Sequence, residues 1–298
     1  MSWAQLMDSL YAVEATLAGP WLLAALLGMG LAVGMLTGLF GVGGAFMITP
    51  LLANLLRIDY SLAVGSSMSF TLGSSSAGWV RHMRLGNVAR KTMLILAGSA
   101  VCGTIIGADI HTALRTHFGK HDFSLIMDVL FIALLALVAF LVLKGTSRER
   151  EETCLLQRVS IPPYIRIRVA HIRGISLPGL CVVGILMGMC KGVMGIGGGV
   201  IFMPMLLLVV GLSMHQSVGT SLGVVLCSSL AGVVIYGAKG DASLWIVFPL
   251  LVGSAAGIQV GTFLCERLQA SRLRRYFAFV VIAVALYLSI NFIFKVQR

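Results

Sequence analysis

Charge is scarce in this chain: 22 Lys and Arg and 11 Asp and Glu stand among 298 residues. That is 11% charged, against roughly a quarter in a soluble globular domain, and it excludes an ordinary water-soluble fold. The six cysteines (Cys102, Cys154, Cys181, Cys190, Cys227 and Cys265) form no CxxC and no metal-like spacing. They read as small packed thiols, with redox or substrate-reactive groups as the alternative. No P-loop is present, which argues against a self-contained ATP-driven pump, and the membrane-edge loops hold no HExxH, GxSxG or paired Cys/His metal spacing. The expectation is a protein that is not an enzyme and needs no cofactor. Ahead of the first apolar stretch stand Asp8 and Glu14 but no Lys or Arg, so a cleavable signal peptide is not expected.

What the chain has instead is apolar length. Mean hydropathy is +0.97, and full-length apolar segments fall at 20–37, 61–80, 92–112, 124–144, 176–191, 216–236, 244–265 and 275–294. A run of about 20 residues at 1.5 Å each crosses a hydrocarbon core of about 30 Å. Two shorter stretches, 44–56 and 199–211, each follow a glycine cluster. They suit half-helices, tilted short spans or the returning limb of a re-entrant hairpin. The net charge of +11 could suggest a nucleic-acid binder, but the basic residues cluster in short loops between apolar segments, which is the positive-inside pattern.

The chain repeats itself. A shift of 154 residues superposes 38–107 on 192–261 without a gap and gives 19 identities in 70 positions, among them Gly41, Gly43, Gly44, Pro50, Gly65, Ser67, Ser74, Ser75 and Gly78. Chance likeness between apolar helices would favour Leu and Val, so this composition indicates duplication. The loop at 81–91 carries Arg81, Arg84, Arg90 and Lys91, whereas its counterpart at 235–245 carries only Lys239 beside Asp241. Equivalent loops should therefore face opposite sides of the membrane.

The predicted fold is an all-α polytopic membrane protein of two inverted-topology repeats, with eight full spans plus two short glycine-broken or re-entrant helices. The predicted division is 1–144 as N-terminal transmembrane repeat, 145–175 as cytoplasmic linker with a short amphipathic surface segment, and 176–298 as C-terminal transmembrane repeat. Both termini fall outside by this scheme, and Lys295 and Arg298 at the C-terminus violate it mildly.

The paired motifs are GLFGVGGAFMITP at 38–50 and GVMGIGGGVIFMP at 192–204. Three or four glycines within seven residues break a membrane helix and free backbone N–H groups at the start of the next one. A helix N-terminus carries about half a positive charge, so the favoured ligand is an anion. The alternative is that the glycines serve close helix contact. Gly65-Ser66-Ser67 and Gly219-Thr220-Ser221 form a second pair whose hydroxyls could donate to an oxyanion or bond back to the backbone. Ser74-Ser75-Ser76 and Ser228-Ser229 lie two turns further on with the same alternatives. Lys191, just before the second motif, either adds to anion attraction or snorkels to the interface. Asp128 either carries protons or sits near a membrane end. His82, His111, His117, His121, His171 and His215 fall in loops or at their edges, where solvated roles are expected.

GLFGVGGAFMITPLL and GVMGIGGGVIFMPMLL resemble the TauE/SafE sulfite-exporter permeases, and the similarity spans nearly the whole chain. The resemblance implies a multi-pass carrier of the bacterial inner membrane that exports sulfite, a sulfonate or a related small sulfur-containing or organic anion by alternating access. Its implied binding region maps onto Gly41, Gly43, Gly44, Ala45, Ser66, Ser67, Gly195, Gly197, Gly198, Gly199, Thr220 and Ser221, to which the residue reading adds Lys191. In that expectation the two repeats rock about the bound anion. The partners are a small anion and the lipid bilayer, with a homodimer compatible and no nucleic acid. An anion channel and an uptake permease for an organic acid are the alternatives. Ala45 faces Gly199 in the repeat, a departure that would make the half-sites unequal.

Overall fold

A backbone inside hydrocarbon must satisfy its own amides, so apolar stretches of this length fold as helices. The computed structural model describes residues 20–146, 164–167 and 172–296. They contain α1 (Pro20–Phe40), α2 (Ala45–Pro50, continued by a π-helical turn over Leu51–Leu55), α3 (Tyr60–Arg84), α4 (Arg90–His117) and α5 (Lys120–Thr146). After the linker come α6 (Leu177–Met194), α7 (Gly199–Met205, continued by a π-helical turn over Leu206–Val210), α8 (Met214–Ala238), α9 (Leu244–Arg267) and α10 (Ala270–Val296). The eight long helices are the eight expected spans.

Seven of them are long and apolar enough to cross a membrane. The eighth, α3, is rich in serine and glycine, and most of those residues, including Ser61, Ser66, Ser67, Ser74 and Ser75, are buried. Its polar side chains face protein instead of lipid. Phe140, Phe248, Phe279 and Phe294 point outward, as a lipid-facing belt requires.

Helix starts are chemically marked: Asp59 accepts from the Ser61 amide, Ser176 from Gly179, and Ser213 with Gln216 forms a capping box. Pro50 and Pro204 lie inside the short helices and offer no N–H to the preceding turn. The π-helical turns begin at Leu51, directly after Pro50, and at Leu206, two residues after Pro204, where the interrupted ladder widens.

Before α6 the structure shows a small antiparallel hairpin of β1 (Tyr164–Ile167) and β2 (Ile172–Ser176), with Tyr164 opposite Ser176 and Ile165 opposite Ile175. The membrane region is all-helical, and the described part of the linker is a pair of strands. The remainder of 145–175 lies outside the described residues.

The repeats are interlaced. Gly30, Gly34 and Gly38 of α1 lie against Leu250, Ser254 and Ile258 of α9, while Gly253, Gly257 and Gly261 return the contact against Leu27, Leu31 and Met35. Gly103 and Gly107 of α4 meet Ile185 and Met189 of α6 in the same way. Glycines four apart let two parallel helices touch backbone to backbone, so the first helix of each repeat is bound to the third long helix of the chain's other sequence half.

Two of the three apolar cores among the described residues follow this pairing. Leu22, Leu26, Ile48, Leu52, Phe70, Ile246 and Leu250 join α1, α2, α3 and α9, while Met93, Leu96, Leu180, Phe202, Leu206, Val224 and Val225 join α4, α6, α7 and α8. Ile48 and Leu52 share a core with the first turns of α1, so α2 folds back toward the side on which α1 begins. The short helices are returning limbs of re-entrant hairpins. α5 and α10 pack on each other at the periphery.

Polar ties at the helix ends report direction. Arg81 lies 3.4 Å from Glu266, so α3 and α9 end together. Arg115 lies 3.0 Å from Asp241 and Lys239 2.7 Å from Thr112, so α4 and α8 end together. Ser66, at the start of α3, accepts from the amide of Ser243 just beyond α8 at 3.1 Å. α3 and α8 are therefore antiparallel, and Arg84 and Lys239 stand at opposite ends of the molecule.

Candidate functional site

Each glycine loop takes three left-handed residues. φ is +69°, +73° and +79° at Gly41, Gly43 and Gly44, and +68°, +70° and +82° at Gly195, Gly197 and Gly198. Residues with a Cβ rarely adopt these angles, so the motif spacing is a backbone requirement. With two successive left-handed residues in each loop, the chain leaves one helix and enters the next without helical acceptors for the intervening N–H groups. Gly41 N donates to Thr37 O and Gly195 N to Lys191 O. The following five amides in each loop, at 42–46 and 196–200, meet no acceptor among the described residues.

The two loops cross. A Cβ at Gly199 would strike the Val42 backbone, and one at Gly197 would lie 2.7 Å from the Ala45 methyl. The crossing accommodates the methyl of Ala45 but not a second one at Gly199, which explains the one mismatch in the glycine runs. Gly41, Gly43, Gly44, Ala45, Gly195, Gly197, Gly198 and Gly199 are all buried and come together as one feature.

The predicted hydroxyls lie elsewhere in the arrangement. Ser67 donates to the Gly195 carbonyl at 3.0 Å and Ser221 to the Gly41 carbonyl at 2.9 Å, so each repeat clamps the loop of the other. Thr49 Oγ1 adds a second contact to Gly195 O at 2.8 Å; its repeat counterpart is Met203. Ser66 accepts from Ser243 N and Thr220 from Ala89 N at 3.0 Å, securing the starts of α9 and α4. These four residues hold the loops and neighbouring helices in place. Gly219-Thr220-Ser221-Leu222-Gly223 has the spacing of a hydrolase elbow, but Ser221 sits inside α8 with its hydroxyl turned to carbonyls, whereas an elbow needs a sharp exposed turn.

Lys191 is fully buried, so it does not snorkel. Its stem passes Gly198, and Nζ reaches Ser228 Oγ at 2.6 Å, Ser229 Oγ at 2.8 Å and Val225 O at 3.1 Å. No carboxylate pairs with it among the described residues. Two groups that the predicted set omits stand at the crossing: Thr71 Oγ1 and Ser75 Oγ are buried with no hydrogen-bond partner. A Cβ at Gly43 would lie 3.0 Å from Ser75 Oγ and one at Gly197 3.0 Å from Thr71 Oγ1.

The remaining ionisable groups are bound elsewhere. Asp128 is 2% exposed and lies 2.6 Å from Lys295 Nζ, with Asn54 donating at 3.2 Å. That pairing accounts for a basic residue at an otherwise unfavoured end. His82 and His111 are buried, not solvated: His82 Nε2 lies 3.3 Å from Gly38 O, and His111 Nδ1 lies 2.7 Å from Val193 O. No group of three His, Cys, Asp or Glu side chains converges for a metal among the described residues.

Interlaced re-entrant hairpins with a buried crossing inside a shell of apolar spans define a multi-pass membrane transporter. The family profile described as Sulfite exporter TauE/SafE matches residues 26–288, and the chain belongs to that family. A Xylella fastidiosa protein named "Probable membrane transporter protein" is 30% identical over 269 residues, covering 88% of this chain and 92% of its own. "Probable membrane transporter protein YdhB" of Bacillus subtilis is 27% identical over 230 residues, covering 77% and 84%. "Probable membrane transporter protein MJ0441" of Methanocaldococcus jannaschii is 27% identical over 228 residues, covering 72% of each chain. No solved structure matches the chain.

Proposed function

We propose that the chain carries a small oxyanion, sulfite or a related sulfonate or organic acid, outward across a bacterial inner membrane by alternating access. The observation that supports this most is the pair of buried amide arrays, 42–46 and 196–200, that cross without acceptors among the described residues. An unpaired amide in an apolar interior costs roughly 1–3 kcal/mol, and the same groups favour negative charge through the short-helix ends. Lys191 Nζ beside the second loop adds a buried N–H donor that no carboxylate pairs with among the described residues. Outward movement of a monoanion is helped by an inside-negative potential by about 2.3 kcal/mol per 100 mV.

The moving bodies in this reading are not the two sequence halves. Separating those would tear the glycine seams between α1 and α9 and between α4 and α6. Instead the body α1–α2–α3–α9 rocks against α4–α6–α7–α8, with the crossed loops at the seam. The experiment is efflux from reconstituted vesicles loaded with sulfite, sulfate, thiosulfate, sulfoacetate or acetate, with and without imposed pH and voltage gradients. Saturable flux of one or more oxyanions is expected. Movement of a cation with no oxyanion flux defeats the reading, and single-channel currents without saturation would make the protein a channel.

A further inference from the structure

The second repeat shows what the first repeat lacks. Lys191 places its ammonium among three neutral oxygens: Ser228 Oγ at 2.6 Å, Ser229 Oγ at 2.8 Å and the Val225 carbonyl at 3.1 Å. The residues 154 positions earlier are Ser74, Ser75 and Thr71, so the same three-oxygen arrangement recurs in α3. The ammonium does not recur. Thr37 stands where Lys191 would be, and its hydroxyl donates to Val33 O in its own helix at 2.9 Å.

The chemistry around the missing ammonium changes in a compensating way. Where the second repeat has Val225 beside Lys191, the first has Thr71, which brings a fourth oxygen, Oγ1. Thr71 Oγ1 and Ser75 Oγ are partnerless, and both residues are 0% exposed. Ser74 Oγ donates to Gly43 O at 3.2 Å, which leaves its lone pairs free to coordinate. A buried hydroxyl without a partner is destabilising, yet two occur one turn apart on α3, Ser75 Oγ toward Gly43 and Thr71 Oγ1 toward Gly197. We propose that Thr71 (carbonyl oxygen and Oγ1), Ser74 Oγ and Ser75 Oγ, beside Gly43, form a sodium site that is the first-repeat counterpart of the Lys191 ammonium.

The donor set selects the ion. Hydroxyl and carbonyl oxygens suit a hard cation, and divalent ions held by protein draw on carboxylates, none of which is in the set. Soft transition metals favour nitrogen or sulfur. A monovalent cation here and the Lys191 amine in the second repeat would each fill a three-oxygen arrangement against a glycine loop, so ion binding steadies the crossing that the anion approaches.

The test reads sodium directly and without any oxyanion, so its outcome is independent of the transport reading. Purified full-length protein in detergent is titrated with 22Na+ in N-methylglucamine gluconate. Saturable binding of a single ion per chain is expected, displaced by unlabelled sodium and not by magnesium. Ser75→Ala and Thr71→Val should each weaken it by about tenfold or more. Thr37→Lys should abolish it by supplying the ammonium internally. Ser76→Ala, whose hydroxyl bonds to Gly73 O within the helix, should leave it unchanged. Each variant is compared by gel filtration, and Ser75→Ala, the smallest change, stands if Thr37→Lys does not fold. Absence of saturable binding in the unaltered protein, or full binding in both Ser75→Ala and Thr71→Val, overturns the proposal.

Discussion

Ser221→Ala should destabilise the protein more than Ser67→Ala, although the two serines are repeat equivalents. Ser221 Oγ is the donor to Gly41 O at 2.9 Å, and no other group bonds to that buried carbonyl among the described residues. Ser67 Oγ donates to Gly195 O at 3.0 Å, but Thr49 Oγ1 lies 2.8 Å from the same oxygen and keeps it satisfied when Ser67 is removed. A stranded buried acceptor costs about 1–3 kcal/mol in general. Side-chain hydrogen bonds measured within a membrane protein average about 0.6 kcal/mol and reach about 1.7. The expected losses are therefore about 1–2 kcal/mol for Ser221→Ala and about 0.5 kcal/mol for Ser67→Ala. The assay is reversible unfolding in mixed micelles by titration with SDS, following helix content. Adding Thr49→Ala to Ser67→Ala should bring the loss close to that of Ser221→Ala. Equal losses for the two single variants, or no further loss in the double variant, would refute the reasoning.

Gly107→Leu forces a side chain into the Met189 backbone; overpacking costs about 1–3 kcal/mol or more, and the yield of monodisperse protein on gel filtration should fall sharply. Lys191→Met removes the buried Nζ donor beside the second loop and should lower the apparent affinity for the transported oxyanion by about tenfold, or ~1.4 kcal/mol, in vesicle flux; unchanged affinity would take Lys191 out of the anion's site. Cysteines placed at Arg84 and Lys239 should react with an impermeant maleimide from opposite sides of a sealed vesicle, because the ends of α3 and α8 lie apart. Asp241→Asn breaks a half-exposed pair with Arg115 and should shift stability by under about 1 kcal/mol, seen in the same SDS titration.

The spans and the glycine loops were legible because their causes are local. Apolar length dictates a helix in lipid, and positive φ at Gly43 or Gly197 admits little but glycine. The pairing of α1 with α9 was not legible, since glycines spaced by four show that a helix is approached closely but not by which partner. Thr71 escaped because its repeat partner is Val225, so a comparison built on identities passes over it. Ser67 and Ser221 were visible as a pair, but whether a membrane hydroxyl faces cargo or a carbonyl depends on the opposite repeat. His82 and His111 looked solvated at helix ends, and only packing of neighbouring helices buries them. The linker hairpin had no apolar period long enough to announce it.

Interlacing bears on how the protein is made. When synthesis has delivered α1 and its glycine row to the bilayer, the helix that fits that row, α9, is still about 200 residues from emerging. Gly30 and Gly34 must wait against lipid, and the first half cannot reach its final packing alone. The two halves expressed as separate polypeptides should each be degraded singly, yet assemble when produced in the same cell.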